Sequence, residues 1–329
     1  GNHVAVYTQV TPDDLDRLLL DFDLGSQVAL EGIQGGIENT NYFVTLKQDM
    51  QEQQYVLTLF EELSGEELPF FVELAQWQAE RGIPLPYGIT DRNGIAQKRL
   101  NDRPAMLQPR FAGRHIARDQ LKPEHCAEVG QALARFHTAS KDFYLSRQAH
   151  RGVFWWRSES SRIQSLLSAE DAQLLLNEVK LFDELRDQGD KLPSGIIHGD
   201  LFHDNVLFDG DKLSAILDIY NAATAFWLFD LAIVANDWCS LPNGKIDPAR
   251  EQALLKAYNS ERPFVDFEHE AWPILTRTAA MRFWLSRLIP ALGVEQGTRS
   301  GDVETKIKDP DELKQILLAR IETPAALPQ

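Results

Sequence analysis

Hydrophobic and polar positions keep two different periods along this chain. Between residues 27 and 60 the apolar residues fall into strand-length runs, "QVALEGI" (27 to 33), "NTNYFVTL" (39 to 46) and "QYVLTLF" (54 to 60), rich in β-branched and aromatic side chains and separated by turn residues. Three consecutive runs of this kind predict an antiparallel meander. A helix is predicted on either side of it. "TPDDLDRLLLDFDLG" (11 to 25) opens with a threonine cap, a proline at the first helical position and acids in the first turn, and stops at Gly25. Residues 65 to 82 carry Leu68, Phe71, Leu74 and Ala75 at helical spacing before Gly82. Short runs at 83 to 90, 94 to 100 and 103 to 111, divided by Pro and Gly, predict further strands.

From about residue 116 the helical period takes over, beginning with "KPEHCAEVGQALARFHTAS" (122 to 140), and one β-rich island interrupts it between 195 and 219. This order predicts an α+β protein with a small antiparallel β lobe over 1–109 and a larger, mainly helical lobe over 110–329, the boundary falling near Gln108 to Gly113.

Composition narrows the partners. At 329 residues and 43% hydrophobic, the chain can bury a sizeable core, and a formal charge of −16, from 49 acidic against 33 basic residues, repels nucleic acid and anionic membrane surfaces. Cys126 and Cys239 are the only two cysteines and stand far apart, which predicts neither a disulfide framework nor a zinc site and fits a reducing cytoplasm. No basic segment followed by an apolar run opens the sequence, and the longest apolar stretch, 222 to 235, is broken by Asp230 and too short for a bilayer. The expectation is a soluble, cytoplasmic protein, a monomer or weak homodimer, acting on small molecules.

The chemistry concentrates in "HGDLFHDNVLFDG" (198 to 210). "GIIH" (195 to 198) reads as a buried strand, and "NVLF" (205 to 208) with "KLSAILD" (212 to 218) reads as a hairpin turning at Asp209 to Asp211. Counting back from the turn puts Asp218 near Asn205. Mg²⁺ takes oxygen ligands, using one or two protein groups and leaving its other positions to phosphates and water, which makes Asn205 and Asp218 candidate metal ligands. Asp200, five residues before Asn205, is the candidate base for an incoming hydroxyl. Protein kinases place an Asp, an Asn five residues later and a metal-binding Asp beyond a short hairpin in this order.

On these residues, "HGDLFHDN" and "ILDIYNA" resemble the aminoglycoside phosphotransferase and choline kinase superfamily. "GGIENTNYFV" (35 to 44), "YVLTLFE" (55 to 61), "LPFFVEL" (68 to 74), "LQPRFAGRHI" (107 to 116) and "MRFWLSRL" (281 to 288) are similar to bacterial homoserine kinases of the kinase-like type. The resemblance implies a protein-kinase-like bilobal fold, ATP and Mg²⁺ as cofactors, and an amino-acid acceptor, with choline, ethanolamine, aminoglycosides and protein serine as alternative acceptors. His198 joins Asp200 in the catalytic loop, as support for its backbone. Gly35 and Gly36 in the turn before β-rich residues, with Asn39, are expected near the phosphates. Met106 to Gln108 would offer backbone groups to adenine.

One departure stands out. The strand that should carry a phosphate-binding lysine has Thr58 instead, which nominates Lys98, Arg99 or Arg110 as the substitute cation and leaves Glu73, the usual partner of that lysine, on a solvated helix face. For the acceptor, Arg114, Arg282 and Arg287 are candidates for its carboxylate, Asp230 or Asp237 for its amine, and Tyr220 and Asn221 for the lining of the site. Two other classes compete: a metal hydrolase using His198, Asp200, His203 and Asp204, against which stands the absence of a helical His-x-x-x-His pattern, and a catalytically silent nucleotide-binding regulator.

Overall fold

Thr11 starts the first helix as its residue types require: its hydroxyl accepts the Asp14 N–H and the Asp14 carboxylate accepts the Thr11 N–H, a reciprocal cap at the head of α1 (Pro12–Leu19). The computed structural model to which this belongs describes residues 8–34, 38–294 and 308–329, and the chain divides into two compact units between Phe111 and Ala112.

In the first unit, β1 (Ser26–Ile33), β2 (Asn39–Gln48) and β3 (Gln51–Phe60) form the antiparallel meander. α2 (Leu68–Glu80) follows, and then β4 (Lys98–Leu100) and β5 (Arg103–Pro109) complete a five-stranded sheet in the order β1-β2-β3-β5-β4. Alternation sorts the side chains. Tyr42, Val44, Leu46, Tyr55, Leu57, Leu59, Ala105 and Leu107 share one face and build a core with Leu15, Leu18 and Leu19 of α1. The Tyr42 hydroxyl keeps its hydrogen bonds there, accepting the Val10 N–H and donating to the Thr8 carbonyl. Residues 83–90 and 94–97 form no strand, contrary to the pattern-based expectation. Pro84 and Pro86 lack the N–H groups a ladder requires, and the segment is tied instead at Ile89 N–H to Leu107 O, 2.7 Å.

The second unit holds α3 (Pro123–Ala139), α4 (Val153–Ile163), α5 (Ala169–Arg186), β6 (Ser194–Ile197), β7 (Val206–Asp209), β8 (Lys212–Ile216), β9 (Ala223–Phe226), α6 (Trp227–Trp238), α7 (Pro248–Glu261), α8 (Asp266–Ala291) and α9 (Pro310–Glu322). β7 and β8 form the expected hairpin, closed by Gly210 and Asp211 between paired Asp209 and Lys212, whereas β6 pairs with β9. All twelve residues of α6 are buried, so the rest of the unit is built around this helix. No helix of the described residues is long and apolar enough to cross a membrane.

α3 and α7 pack closely at Gly130, where an added Cβ would lie 2.4 Å from the Leu254 carbonyl oxygen. Helix propensity alone favours Gly130→Ala by ~1 kcal/mol. The clash outweighs it, because α3 and α7 must separate, and the variant is expected to lose about 2 kcal/mol in chemical denaturation. An unchanged or higher midpoint contradicts this packing.

Candidate active site

An apolar buried helix tolerates a polar side chain only when that side chain has partners. α6 carries three, Asp230, Asn236 and Asp237, and two of them hold the 198–205 loop. The Asp230 carboxylate accepts the backbone N–H of His198 (2.8 Å) and of Gly199 (2.9 Å). Asp237, seven residues on and therefore on the same face, accepts the His203 N–H and its Nδ1, both at 2.8 Å, and pairs with Arg118 through its other oxygen. Next to it, the Trp238 indole donates to the Leu201 carbonyl at 3.0 Å. The loop is thus fastened at four residues to one rigid helix.

Behind Asp230 runs a buried chain of donors. The Arg262 Nε donates to the Tyr258 hydroxyl (2.8 Å), Tyr258 bonds the His137 Nδ1 (2.7 Å), and the His137 Nε2 meets Asp230 at 2.8 Å. Glu268 neutralises Arg262 with two hydrogen bonds, at 3.0 and 2.6 Å, and Trp227 stacks on the His137 ring. Burial would raise the Asp230 pKa, but the hydrogen bond from His137 and the loop N–H groups more than offset it and hold the carboxyl below its ordinary range. Asp237 behaves the same way, with His203 and Arg118 overcoming burial. Both aspartates are therefore occupied with the loop, which removes them as receptors for an acceptor's amine.

Within the loop, the Asp200 N–H donates to the His198 Nδ1 (3.1 Å), so the His198 proton sits on Nε2, which donates to the Leu217 carbonyl (2.8 Å). Burial pushes the His198 pKa down, and the ring is neutral with both nitrogens engaged. His198 is a positioning residue. The Leu217 N–H in turn reaches the Asn205 carbonyl at 2.8 Å, and the Asn205 Nδ2 donates to the Asp200 carbonyl at 2.7 Å. That bond, with a longer one to the Asp200 carboxylate at 3.4 Å, commits the Asn205 Nδ2 as donor and leaves Oδ1 as the acceptor end of the amide. Asp218 follows Leu217 in the left-handed region, φ +54°, a conformation that Asp tolerates better than most residues. Gly199 has φ +85°, and a Cβ there would lie 2.8 Å from the Asn221 carbonyl, so only glycine fits.

Asp200, Asn205 and Asp218 thus share one end of the hairpin, with Asn221 against Gly199 and Tyr220 between Asp218 and Asn221 in sequence. The donors Asn205 and Asp218 are hard oxygens suited to a divalent cation. No cluster of three His, Cys, Asp or Glu side chains that would hold a metal is present among the described residues, and His203 turns to Asp237 while Asp204 is exposed. The histidine-rich hydrolase arrangement is not formed. Of the three arginines, Arg114 is exposed, pairs through its backbone with Phe208 and acts on Asp211 at the far turn of the hairpin. Arg287 is tied to Asp309 O (2.9 Å) and Glu312 (2.8 Å). Arg282 is buried, and burial together with the Arg151 charge brings its pKa down to about 9, against the Asp200 carboxylate, which raises it.

In the first unit, the sheet face opposite the core carries Asn39, Asn41, Phe43, Val56, Thr58, Met106 and Gln108. The Thr58 hydroxyl lies 2.7 Å from Asn41 Oδ1 and 3.0 Å from Gln108 Oε1, a polar cluster where a lysine was expected. Because the Leu107 carbonyl turns to Ile89, the backbone groups of Met106 and Gln108 turn to β3, so both residues face this surface through side chains rather than backbone. Lys98 is held by Asp91 (2.5 Å) and Asp21 (3.0 Å), and Arg99 by Asp102 O. Arg110 lies on the Thr58 face, its guanidinium 3.6 Å from the Phe43 ring centroid. Glu73 is exposed, and Gly35 and Gly36 lie outside the described residues.

This fold is the kinase-like one. The structure matches an amicoumacin kinase solved with AMP-PNP and Ca²⁺ at TM-score 0.66, with 15% identity over 94% of this chain and 93% of the other. It matches a choline/ethanolamine kinase family protein from Mesorhizobium loti at TM-score 0.63, with 16% identity over 95% and 96%. Residues 29–264 match the phosphotransferase enzyme family. Along almost its whole length the sequence is similar to homoserine kinases: 40% identical over 325 residues to that of Pseudomonas aeruginosa strain LESB58, covering 99% of each chain, and 41% over 317 residues to that of Methylobacillus flagellatus, covering 95% and 94%. A third, from Cupriavidus metallidurans, is 39% identical over 337 residues, covering 99% of each chain. The chain belongs to the phosphotransferase enzyme family and, within it, to the homoserine kinases.

Sequence reasoning missed that Asp230, Asp237 and Trp238 hold the 198–205 loop. The signal was present: aspartates seven apart on a helix whose other residues, Asn236 aside, are apolar.

Two outcomes follow from the geometry. Trp238→Phe keeps an aromatic six-membered ring but removes the indole donor to Leu201 and some buried volume, and is expected to lower kcat about tenfold, with nucleotide affinity within about twofold; equal losses in both would point to general destabilisation. His137 is buried and neutral, as is His198, and burial depresses both pKa values. Unfolding lets each take up a proton near pH 6.5, which the native state refuses, so stability falls as pH drops from 7 to 5 by up to about 1.4 kcal/mol per pH unit for each histidine. Thermal denaturation of His137→Gln across that range should show a shallower slope than the parent; parallel slopes contradict the assignment.

Proposed function

We propose that this protein transfers the γ-phosphoryl group of ATP to the side-chain hydroxyl of L-homoserine, giving O-phospho-L-homoserine for threonine biosynthesis. The observation that carries the reading is similarity at about 40% identity, over nearly the full length, to homoserine kinases from three genera. The loop supports it chemically. The homoserine hydroxyl oxygen attacks the γ-phosphorus, the bond to the β-phosphate oxygen breaks, ADP departs, and Asp200 accepts the hydroxyl proton.

Asn205 and Asp218 would hold Mg²⁺. Bound there, the ion supplies neutralisation of the charge on the nucleotide phosphates. His198 and Leu217 keep the Asp200–Asn205 segment in register with Asp218, so base and metal ligands are positioned before substrate arrives. In the first unit, Asn39, Met106, Gln108 and the neighbouring Thr58 and Asn41 would meet the nucleotide, together with Gly35 and Gly36, which lie outside the described residues. Arg110 is a cation on the same sheet face, over the Phe43 ring. Two buried free thiols fit the expected reducing cytoplasm.

A coupled ADP assay across homoserine, serine, threonine, choline, ethanolamine and an aminoglycoside tests the acceptor, and homoserine is expected to give the highest kcat/KM. Turnover that favours choline or an aminoglycoside contradicts the proposal, and none with any acceptor would favour the regulator. Asp200→Asn should lower kcat by about 10³-fold or more with nucleotide binding retained. Asp218→Asn should weaken Mg²⁺-dependent nucleotide binding as well. Near-normal turnover of Asp200→Asn removes the base.

A further inference from the structure

Four arginines are buried among the described residues, and three have a carboxylate inside the protein: Arg250 with Asp247, Arg262 with Glu268 and Arg320 with Glu251. Arg282 is the exception. At 7% exposure it donates to the Ser286 hydroxyl (2.5 Å) and lies 4.2 Å from the Phe283 ring centroid, with no carboxylate of the described residues at ion-pair distance. A buried guanidinium without an anion is costly, and a second positive charge nearby makes it more so. That second charge is Arg151. The half-buried Trp155 ring has the Arg151 guanidinium 5.5 Å and the Arg282 guanidinium 5.6 Å from its centroid.

The cluster stands beside the reacting loop. Phe283, next to Arg282, packs on Phe202 with ring centroids 4.8 Å apart, and Phe202 is two residues from Asp200. The Arg282 charge is also felt electrostatically by Asp200. An anion that joined the two guanidiniums would relieve their repulsion and complete the one buried arginine left without a counter-charge. A carboxylate fits, because a planar guanidinium binds it through two parallel hydrogen bonds.

We propose that Arg282 and Arg151, set against the Trp155 ring beside the Asp200 loop, bind the carboxylate of the acceptor and so restrict the enzyme to hydroxyl substrates that carry one. This rests on the reading of the protein as an amino-acid kinase and extends it to Arg151 and Trp155. A site built around a buried charge rejects an analogue that lacks the counter-charge far more strongly than one that lacks a methylene.

The test compares kcat/KM for L-homoserine with that for 3-aminopropan-1-ol, which keeps the hydroxyl and the amine and lacks the carboxylate. The parent enzyme should prefer homoserine by at least ~100-fold. Arg282→Met should reduce that preference by about 100-fold and Arg151→Met by about tenfold, the ratio cancelling any general loss of structure. Retention of the full preference in both variants overturns the proposal. Where Arg282→Met does not fold, the half-buried Arg151 carries the test through its own variant. Calorimetric titration of the ADP·Mg²⁺-loaded protein separates this inference from the proposed function. If homoserine is not phosphorylated yet binds more tightly than 3-aminopropan-1-ol, and Arg151→Met abolishes the difference, the carboxylate site stands and the kinase reading fails. Equal binding of the two compounds by the parent protein overturns the site.

Discussion

The bonds from the backbone of His198 and Gly199 to the Asp230 carboxylate are the constraint on which the rest of the second unit depends. A charge buried in an apolar helix is tolerable only when its acceptors are filled, and Asp230 is filled by two loop N–H groups and the His137 ring. The same constraint therefore works in both directions. The loop cannot leave without stranding a buried carboxylate, and the carboxylate keeps the loop in a left-handed turn at Gly199 that brings Asp200 to the hairpin.

From that anchor the geometry spreads through short bonds. His198 takes the Asp200 N–H on one nitrogen and gives the Leu217 carbonyl a proton from the other, and the Leu217 peptide binds Asn205. Three polar residues 18 positions apart in sequence are thus held by one imidazole and one peptide. Asp237, His203 and Trp238 repeat the fastening further along α6, which is why a helix with no exposed residue governs a chemical site. Such prepaid order is what phosphoryl transfer needs, since its catalysis is mainly positioning and charge stabilisation.

Much of this was legible in sequence where the determinants are local. The alternation of 39–46 and 54–60 specified β2 and β3, Thr11 and Pro12 specified the start of α1, and the Gly210–Asp211 turn set the register that carries Asn205 toward Asp218. What was not legible depends on partners distant in the chain. His137 meets Asp230 across 93 residues and His203 meets Asp237 across 34, and neither spacing has a period to reveal it. Residues 83–90 looked like a strand by composition, but two prolines removed the ladder donors. Arg114, Arg282 and Arg287 were equivalent as sequence; only the structure distinguishes one on the hairpin's outer turn, one tied to α9 and one buried with no carboxylate of the described residues at ion-pair distance.

The first unit shows the complementary lesson. Its core face is fixed by apolar alternation, while the opposite face carries a Thr58, Asn41 and Gln108 cluster at the position where the sequence led to the expectation of a lysine. The site depends on the loop being held by α6, and kcat of Asp230→Asn with saturating MgATP and homoserine measures that most directly. An asparagine keeps the volume but sets an N–H₂ against a donor. A fall of at least about 100-fold is expected; a kcat within about threefold of the parent would show that Asp230 does not hold the loop in its working geometry.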